Sequence, residues 1–217
     1  MSNIRRFSLE EIAAKSLKNC HAPGLDSVVL GEGSSGELVR VFWARKGHSL
    51  GVRHPYSDQL QIAFHGHHCA IDFTVIQGCM INCTVDEVGS HQMQHGKIKL
   101  WEFQSKIVST ASPGFAQLLD ENGAQRCKYV GLQNEILVDE DMGRITSMNA
   151  EDIHTVFVPT EEAMWLLHEH PTKFGRNTKK VTYSNNDLSS FSFKDLYQPF
   201  TDLEEIKHVL DIASPWM

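Results

Sequence analysis

The segment Leu60-Gln-Ile-Ala-Phe-His65-Gly-His67-His68-Cys69-Ala-Ile-Asp72 sets two imidazoles two positions apart. In an extended chain alternate side chains share a face, so Leu60, Ile62 and Phe64 point one way while His65 and His67 point the other. Two imidazoles so placed can meet one transition-metal ion at about 2.0–2.2 Å once a third ligand arrives from a neighbouring strand. The stretch Gly143-Arg-Ile-Thr-Ser-Met-Asn149-Ala-Glu151-Asp-Ile-His154 offers that ligand, because its turn leads His154 into a β-rich run that can lie beside the first strand. His68 falls on the opposite face and is left out of the set.

Other groups compete for the same chemistry. His168-Glu-His170 also puts two imidazoles on one strand face, but Pro171 ends that strand and only His208, on a helical stretch, follows downstream. His91 and His95 are bracketed by Gly89 and Gly96 and read as loop residues. Cys69 shares the His65/His67 face if the strand runs that far, either as a thiolate near the metal or as a small buried hydrophobe. Arg53, His54 and Tyr56 precede the metal strand and reach toward its mouth, which makes Arg53 and Tyr56 candidates for contacting a substrate. Asp72 is either a further ligand or a solvated turn carboxylate.

Composition narrows the classes. The chain has 217 residues, 41% of them hydrophobic and 22% charged, enough for one full-sized core and too apolar for wholesale disorder. Its 27 acidic and 20 basic residues give a net charge of −7, which repels phosphate backbones and anionic lipid, so neither nucleic acid nor membrane is an expected partner. No apolar run approaches the roughly 18 residues of a membrane helix, and the start lacks a signal-peptide pattern, so a cytoplasmic location is expected. Five cysteines without a CxxC pair argue against a disulfide framework or a structural zinc knot, and the sequon Asn82-Cys83-Thr84 is read as accidental.

The elements that must position the histidines are mostly strands. Ser8-Leu-Glu-Glu11 is a capping box that opens a short amphipathic helix, and Thr201-Asp-Leu-Glu204 opens a second one near the end. Between about 37 and 170 lie β-like runs over Glu37–Trp43, Leu60–His68, Ile71–Glu87, Lys97–Val108, Arg126–Val130, Glu135–Val138, Ile145–Met148, His154–Val158 and Met164–His168, a spacing that predicts an all-β sandwich or barrel. Thr178–Ser192 is polar and reads as a surface loop. The expected divisions are 1–36, N-terminal helix and lead-in; 37–175, β-barrel; and 176–217, loop and C-terminal helix.

Over roughly residues 37–170 the pattern resembles the cupin superfamily. The second cupin motif, Gly-x5-Pro-x-Gly-x2-His-x3-Asn, finds Gly143 and His154 at its spacing, with Asn149 at the proline, Glu151 at the glycine and Val158 at the final asparagine. The first, Gly-x5-His-x-His-x(3 or 4)-Glu-x6-Gly, finds His65, His67 and Gly78, with Gln59 in place of the leading glycine. Under the longer spacing Asp72 takes the carboxylate position and Gly78 arrives one residue early; fixing Gly78 puts Ile71 there and leaves three histidines without an acid. A three-histidine sphere is similar to that of the thiol dioxygenases within the superfamily, as are Val-Ile-Gln-Gly78 and the strand ending at His168.

This resemblance implies a double-stranded β-helix, or jelly roll, with helices flanking it at both ends. It implies metal ligation by His65, His67 and His154, with Asp72, Tyr56 and Arg53 as catalytic candidates. The leading ion is Fe(II), with Zn, Mn or Ni as alternatives, and the expected activity is oxidation of a small organic molecule by a dioxygenase-like oxidoreductase. Lyase, isomerase or hydrolase chemistry, or a non-catalytic ligand-binding cupin, are the other readings. Homodimerisation is a tendency of such sandwiches.

Overall fold

The computed structural model describes residues 4–20, 24–45, 64–67, 69–86, 97–107, 117–119, 126–131, 133–170, 180–184 and 198–217. Two eight-stranded sheets, antiparallel throughout their described pairs, make up most of it. The first sheet holds β1 (Ile4–Arg6), β2 (Leu17–Lys18), β3 (Leu25–Gly33), β4 (Leu38–Ala44), β6 (Ala70–Gln77), β12 (Ile145–Met148), β14 (Ala163–His170) and β16 (Gln198–Pro199). The second holds β5 (Phe64–His65), β7 (Met80–Asp86), β8 (Lys97–Ile107), β9 (Gln117–Leu119), β10 (Arg126–Gly131), β11 (Gln133–Glu140), β13 (Ile153–Phe157) and β15 (Lys180–Ser184). The spatial orders are β12-β6-β14-β4-β3-β2-β16, with β1 on β3, and β10-β8-β15-β5-β13-β7-β11, with β9 on β8.

From β4 to β7, and again from β11 to β16, successive strands alternate between the sheets. The earlier run lies against the later one in reverse order: β4 and β6 pair with β14, β5 with β13 and β15, and β7 with β13 and β11. This coiling brings the His65 and His154 segments side by side although they are far apart in sequence.

Alternation along the strands of the first sheet makes both of its faces apolar. Phe42, Phe73, Val75, Trp165 and Leu167 face the second sheet, where Met80 and Val156 meet them. Val39, Val41, Trp43, Met164 and Leu166 face the other way, onto the helices α1 (Leu9–Lys15) and α2 (Leu203–Ala213). The molecule is therefore layered as helices, sheet, sheet. Ile206, Val209 and Ala213 of α2 are fully buried in the helix-side cluster. Burying each of the two larger side chains contributes about 1.5–3 kcal/mol.

The start of α1 follows its sequence signal: Glu11 N–H donates to Ser8 Oγ at 3.3 Å, and Ser8 N–H donates to Glu11 Oε2 at 2.8 Å. At α2 the cap is Asp202, whose Oδ1 accepts from Glu204 N–H at 2.9 Å, rather than Thr201. The stretch before residue 37 supplies three strands as well as the helix, because Val28, Val29 and Leu30 bury against β4 and the helices. The single run expected over Ile71–Glu87 is two strands in different sheets. The chain turns at Gly78, with φ +72°, where an added Cβ would lie 2.2 Å from Glu162 O. Residues 180–184, expected in a loop, form β15 between β5 and β8. Of the run expected over Leu60–His68, the described strand is Phe64–His65.

Candidate metal centre

His154 sits on β13 directly opposite His65 on β5, so their side chains leave the second sheet on the same face. His67 lies just beyond the end of β5, and its backbone N–H donates to Ala150 O at 2.9 Å, tying it to the turn that precedes β13. Gly66, between the two histidines, makes that approach feasible: a Cβ there would come within 3.1 Å of Ala150 O. The turn is held by Asp152, whose carboxylate accepts from Asn149 N–H at 2.7 Å, while Asp152 N–H donates to Asn149 O at 3.3 Å. Local backbone chemistry, rather than one continuous strand, places the pair.

One nitrogen from each of the three imidazoles falls within 4.8 Å of the others. The ring centroids form a nearly equilateral triangle, 5.1 Å for His65–His67, 4.9 Å for His65–His154 and 4.8 Å for His67–His154. With metal–nitrogen bonds of about 2.1 Å, three such rings stand roughly 4.5 Å apart around an octahedral ion and roughly 5.2 Å apart around a tetrahedral one. The observed triangle lies between, and accepts either geometry. The donor set fits a divalent transition metal.

His154 is 5% exposed, and its Nδ1–H donates to Asn82 Oδ1 at 2.8 Å. Asn82, on β7 two residues from the His154 partner Thr84, is buried too, and its amide nitrogen donates to Met148 Sδ of the facing sheet at 3.6 Å. That second bond fixes the amide, and the amide fixes the tautomer, so His154 Nε2 presents its lone pair to the triad. His67 Nε2 stands 2.8 Å from it, close to the roughly 3.0 Å separating two adjacent ligands around an octahedral ion. Asn82, read from sequence as a chance sequon, is the supporting residue that sequence reasoning missed. Its place two residues after Met80, hence on the same strand face, becomes informative only with the register of β7 against β13.

Asp72 is elsewhere. Ile71, Phe73 and Val75 face the interior between the sheets, so Asp72 projects from the other side of β6. There Oδ1 accepts from Ser147 Oγ at 2.5 Å and Oδ2 from His170 Nε2–H at 2.8 Å. The rival pair His168 and His170 is on this outer face as well, with His168 in register with Asp72. Burial holds the His168 imidazole below its usual range, and His170 adds to the effect. His208, on α2, packs its ring 5.5 Å from that of Trp43. Arg53, His54, Tyr56, His68, His91 and His95 lie outside the described residues.

No protein-family model matches the chain, and no curated protein matches it. Among solved structures, Fe(II) HppE in complex with substrate aligns at a TM-score of 0.38 and 9% identity over 78% of this chain and 56% of that one. Co(II) HppE in complex with substrate aligns at 0.35 and 9% over 67% and 51%. The chain thus spans about half the length of these proteins. Likeness at that level bears on neither fold nor chemistry, and the site stands on its own geometry. Among the described residues no helix is long and apolar enough to cross a membrane.

Proposed function

We propose that this chain is a metal-dependent enzyme of cupin-like, jelly-roll architecture in which His65, His67 and His154 hold a divalent transition ion, Fe(II) first among the candidates, for oxidation of a small organic molecule. The architecture is supported by the alternation of successive strands between two antiparallel sheets and by the reversed pairing of the two runs. The observation that carries the function is the convergence of three imidazoles, one of them tautomer-locked by Asn82.

Three neutral imidazoles would leave the charge of a bound divalent ion uncompensated, which favours an anionic substrate. A redox-active ion held by His65, His67 and His154 would supply O2 activation, and a redox-inert one Lewis-acid polarisation. The protein's own part is to hold the His154 tautomer that turns the Nε2 lone pair toward the triad and to wall the site with the apolar inner faces of the sheets. Arg53 and Tyr56 are proposed to contact the substrate at the mouth. Asp72 is not assigned a role in this reaction, since it faces away.

A second reading draws on the 2.8 Å contact between His67 Nε2 and His154 Nε2, which also satisfies both rings as a direct hydrogen bond in a metal-free ligand-binding module. Oxygen-uptake measurements on anaerobically purified, Fe(II)-loaded protein against thiols, amino acids and oxo acids separate the two. The enzyme reading expects uptake with one of these classes, abolished by His154→Ala with the circular dichroism spectrum unchanged. A chain that retains no transition metal under any loading condition belongs to the second reading.

A further inference from the structure

The inward face of the first sheet carries an ion pair among its apolar side chains. Arg40 on β4 shares that face with Phe42, its guanidinium 5.8 Å from the ring, and Glu169 on β14 shares it with Trp165 and Leu167. Arg40 Nη2 lies 2.5 Å from Glu169 Oε1, and Arg40 Nη1 donates to Ser27 Oγ at 3.5 Å. The two charged side chains are 5% and 13% exposed. Register brings the pair toward the imidazoles. Glu169 is the cross-strand neighbour of Ile71, and Ile71 of Met148, whose Sδ accepts from the Asn82 amide that holds His154. With β12 facing β7 through that contact, the order β12-β6-β14 of the first sheet runs over β7-β13-β5 of the second, which sets β14 across from the strand of His65. β12 and β14 both run antiparallel to β6, so Met148 and Glu169 lie at the same end of the sandwich, the end where the turn after Met148 leads to His154.

We propose that Arg40, aimed by Glu169, binds a carboxylate of the substrate, and that the substrate is a small dianion, with one anionic group for the ion and a carboxylate for Arg40. The inference rests on the reading of the triad as a metal centre and names the substrate class of that site. A buried ion pair is a weak source of stability, since apolar side chains of similar volume commonly replace one without loss, so stability does not account for charges on an inward wall. A planar guanidinium grips a carboxylate through two parallel N–H bonds, which suits Arg40 to that ligand. Charge balance sets the rest. The three imidazoles are neutral and the Arg40–Glu169 pair sums to zero, so a divalent ion brings two uncompensated positive charges into a site walled by apolar side chains. A ligand with two negative charges neutralises them, and Glu169 keeps Arg40 from attracting a third.

The test is calorimetric titration of Co(II)-loaded full-length protein with malonate, succinate and glutarate, each against its own monoamide. Wild type binds at least one of the dianions in preference to its monoamide. The Arg40→Met/Glu169→Leu variant, which removes the pair without stranding a single buried charge, reduces that preference at least about tenfold, with cobalt content and circular dichroism unchanged. Arg40→Lys, which keeps the charge and loses the fork, falls between the two. Glu169→Gln keeps a side-chain acceptor for Arg40 and removes a negative charge, so it binds the same dianion more tightly than wild type, a gain that a merely structural pair does not give. A wild type that binds none of the three dianions overturns the proposal, as does a preference that survives in the double variant or a Glu169→Gln protein that binds no more tightly. Should the protein take up no cobalt, the triad reading fails by itself; dicarboxylate binding to the metal-free protein that Arg40→Lys weakens then still supports Arg40 as the carboxylate site, and its absence removes that as well.

Discussion

Asn82 decides how His154 behaves. Its Oδ1 takes the Nδ1 proton, and the bond from its amide to Met148 Sδ prevents the reverse arrangement. Asn82→Ala is therefore expected to weaken metal binding about 10–100-fold, whereas Asn82→Asp, which keeps the acceptor, stays much closer to wild type; competitive metal titration measures both. His65 and His67 were legible from the two-residue spacing, and His154 from a turn ahead of a β run. Asn82 was not, because an asparagine in a strand gives no sign of which face it takes until the register with β13 is known. Asp72 illustrates the same limit in the other direction. Asp72 was a candidate through the spacing of the first cupin motif, and spacing alone does not show that β5 belongs to one sheet and β6 to the other.

Among the elements, the passage from β6 to β7 is the one on which the site's second wall depends. Gly78 turns there at φ +72°, with Glu162 O in the space a side chain would need. Gly78→Ala is expected to cost about 2 kcal/mol or more of unfolding free energy, read from urea denaturation, because it combines left-handed strain with a backbone collision. On the helix side, Ile206→Ala removes a fully buried side chain of α2 and is expected to cost about 2–5 kcal/mol by the same measurement, with metal affinity unchanged. Both helices were legible from their apolar periodicity, and α1 from its capping box as well. The short β15 was hidden because Lys180-Val-Thr-Tyr-Ser184 is too brief and too polar at its ends to signal a strand, and becomes one only where β5 and β8 offer partners on both sides.

At the scale of the molecule, the layered arrangement places the three imidazoles on the face of the second sheet that looks into the sandwich, toward Met148 and its neighbours. An ion bound there ties β5 to β13 and adds to stability through mass action. At a free metal concentration of about 100 times Kd the gain is about 2.7 kcal/mol, which for a chain of this size raises Tm by roughly 5–10 °C. The share of that rise that depends on the triad is expected to vanish in His154→Ala, as scanning calorimetry with and without chelator will show.

The all-β class with terminal helices was visible in the run of short strands. The alternation between sheets was not, since it depends on pairings between runs some 80 residues apart that no local pattern encodes.

The most direct test is anomalous diffraction from crystals soaked in Co(II), recorded at the cobalt edge. A peak is expected about 2.0–2.2 Å from a ring nitrogen of each of His65, His67 and His154, with His154 Nδ1 still bonded to Asn82. A map without density at that point, with the His67 and His154 nitrogens still in direct contact, would contradict it.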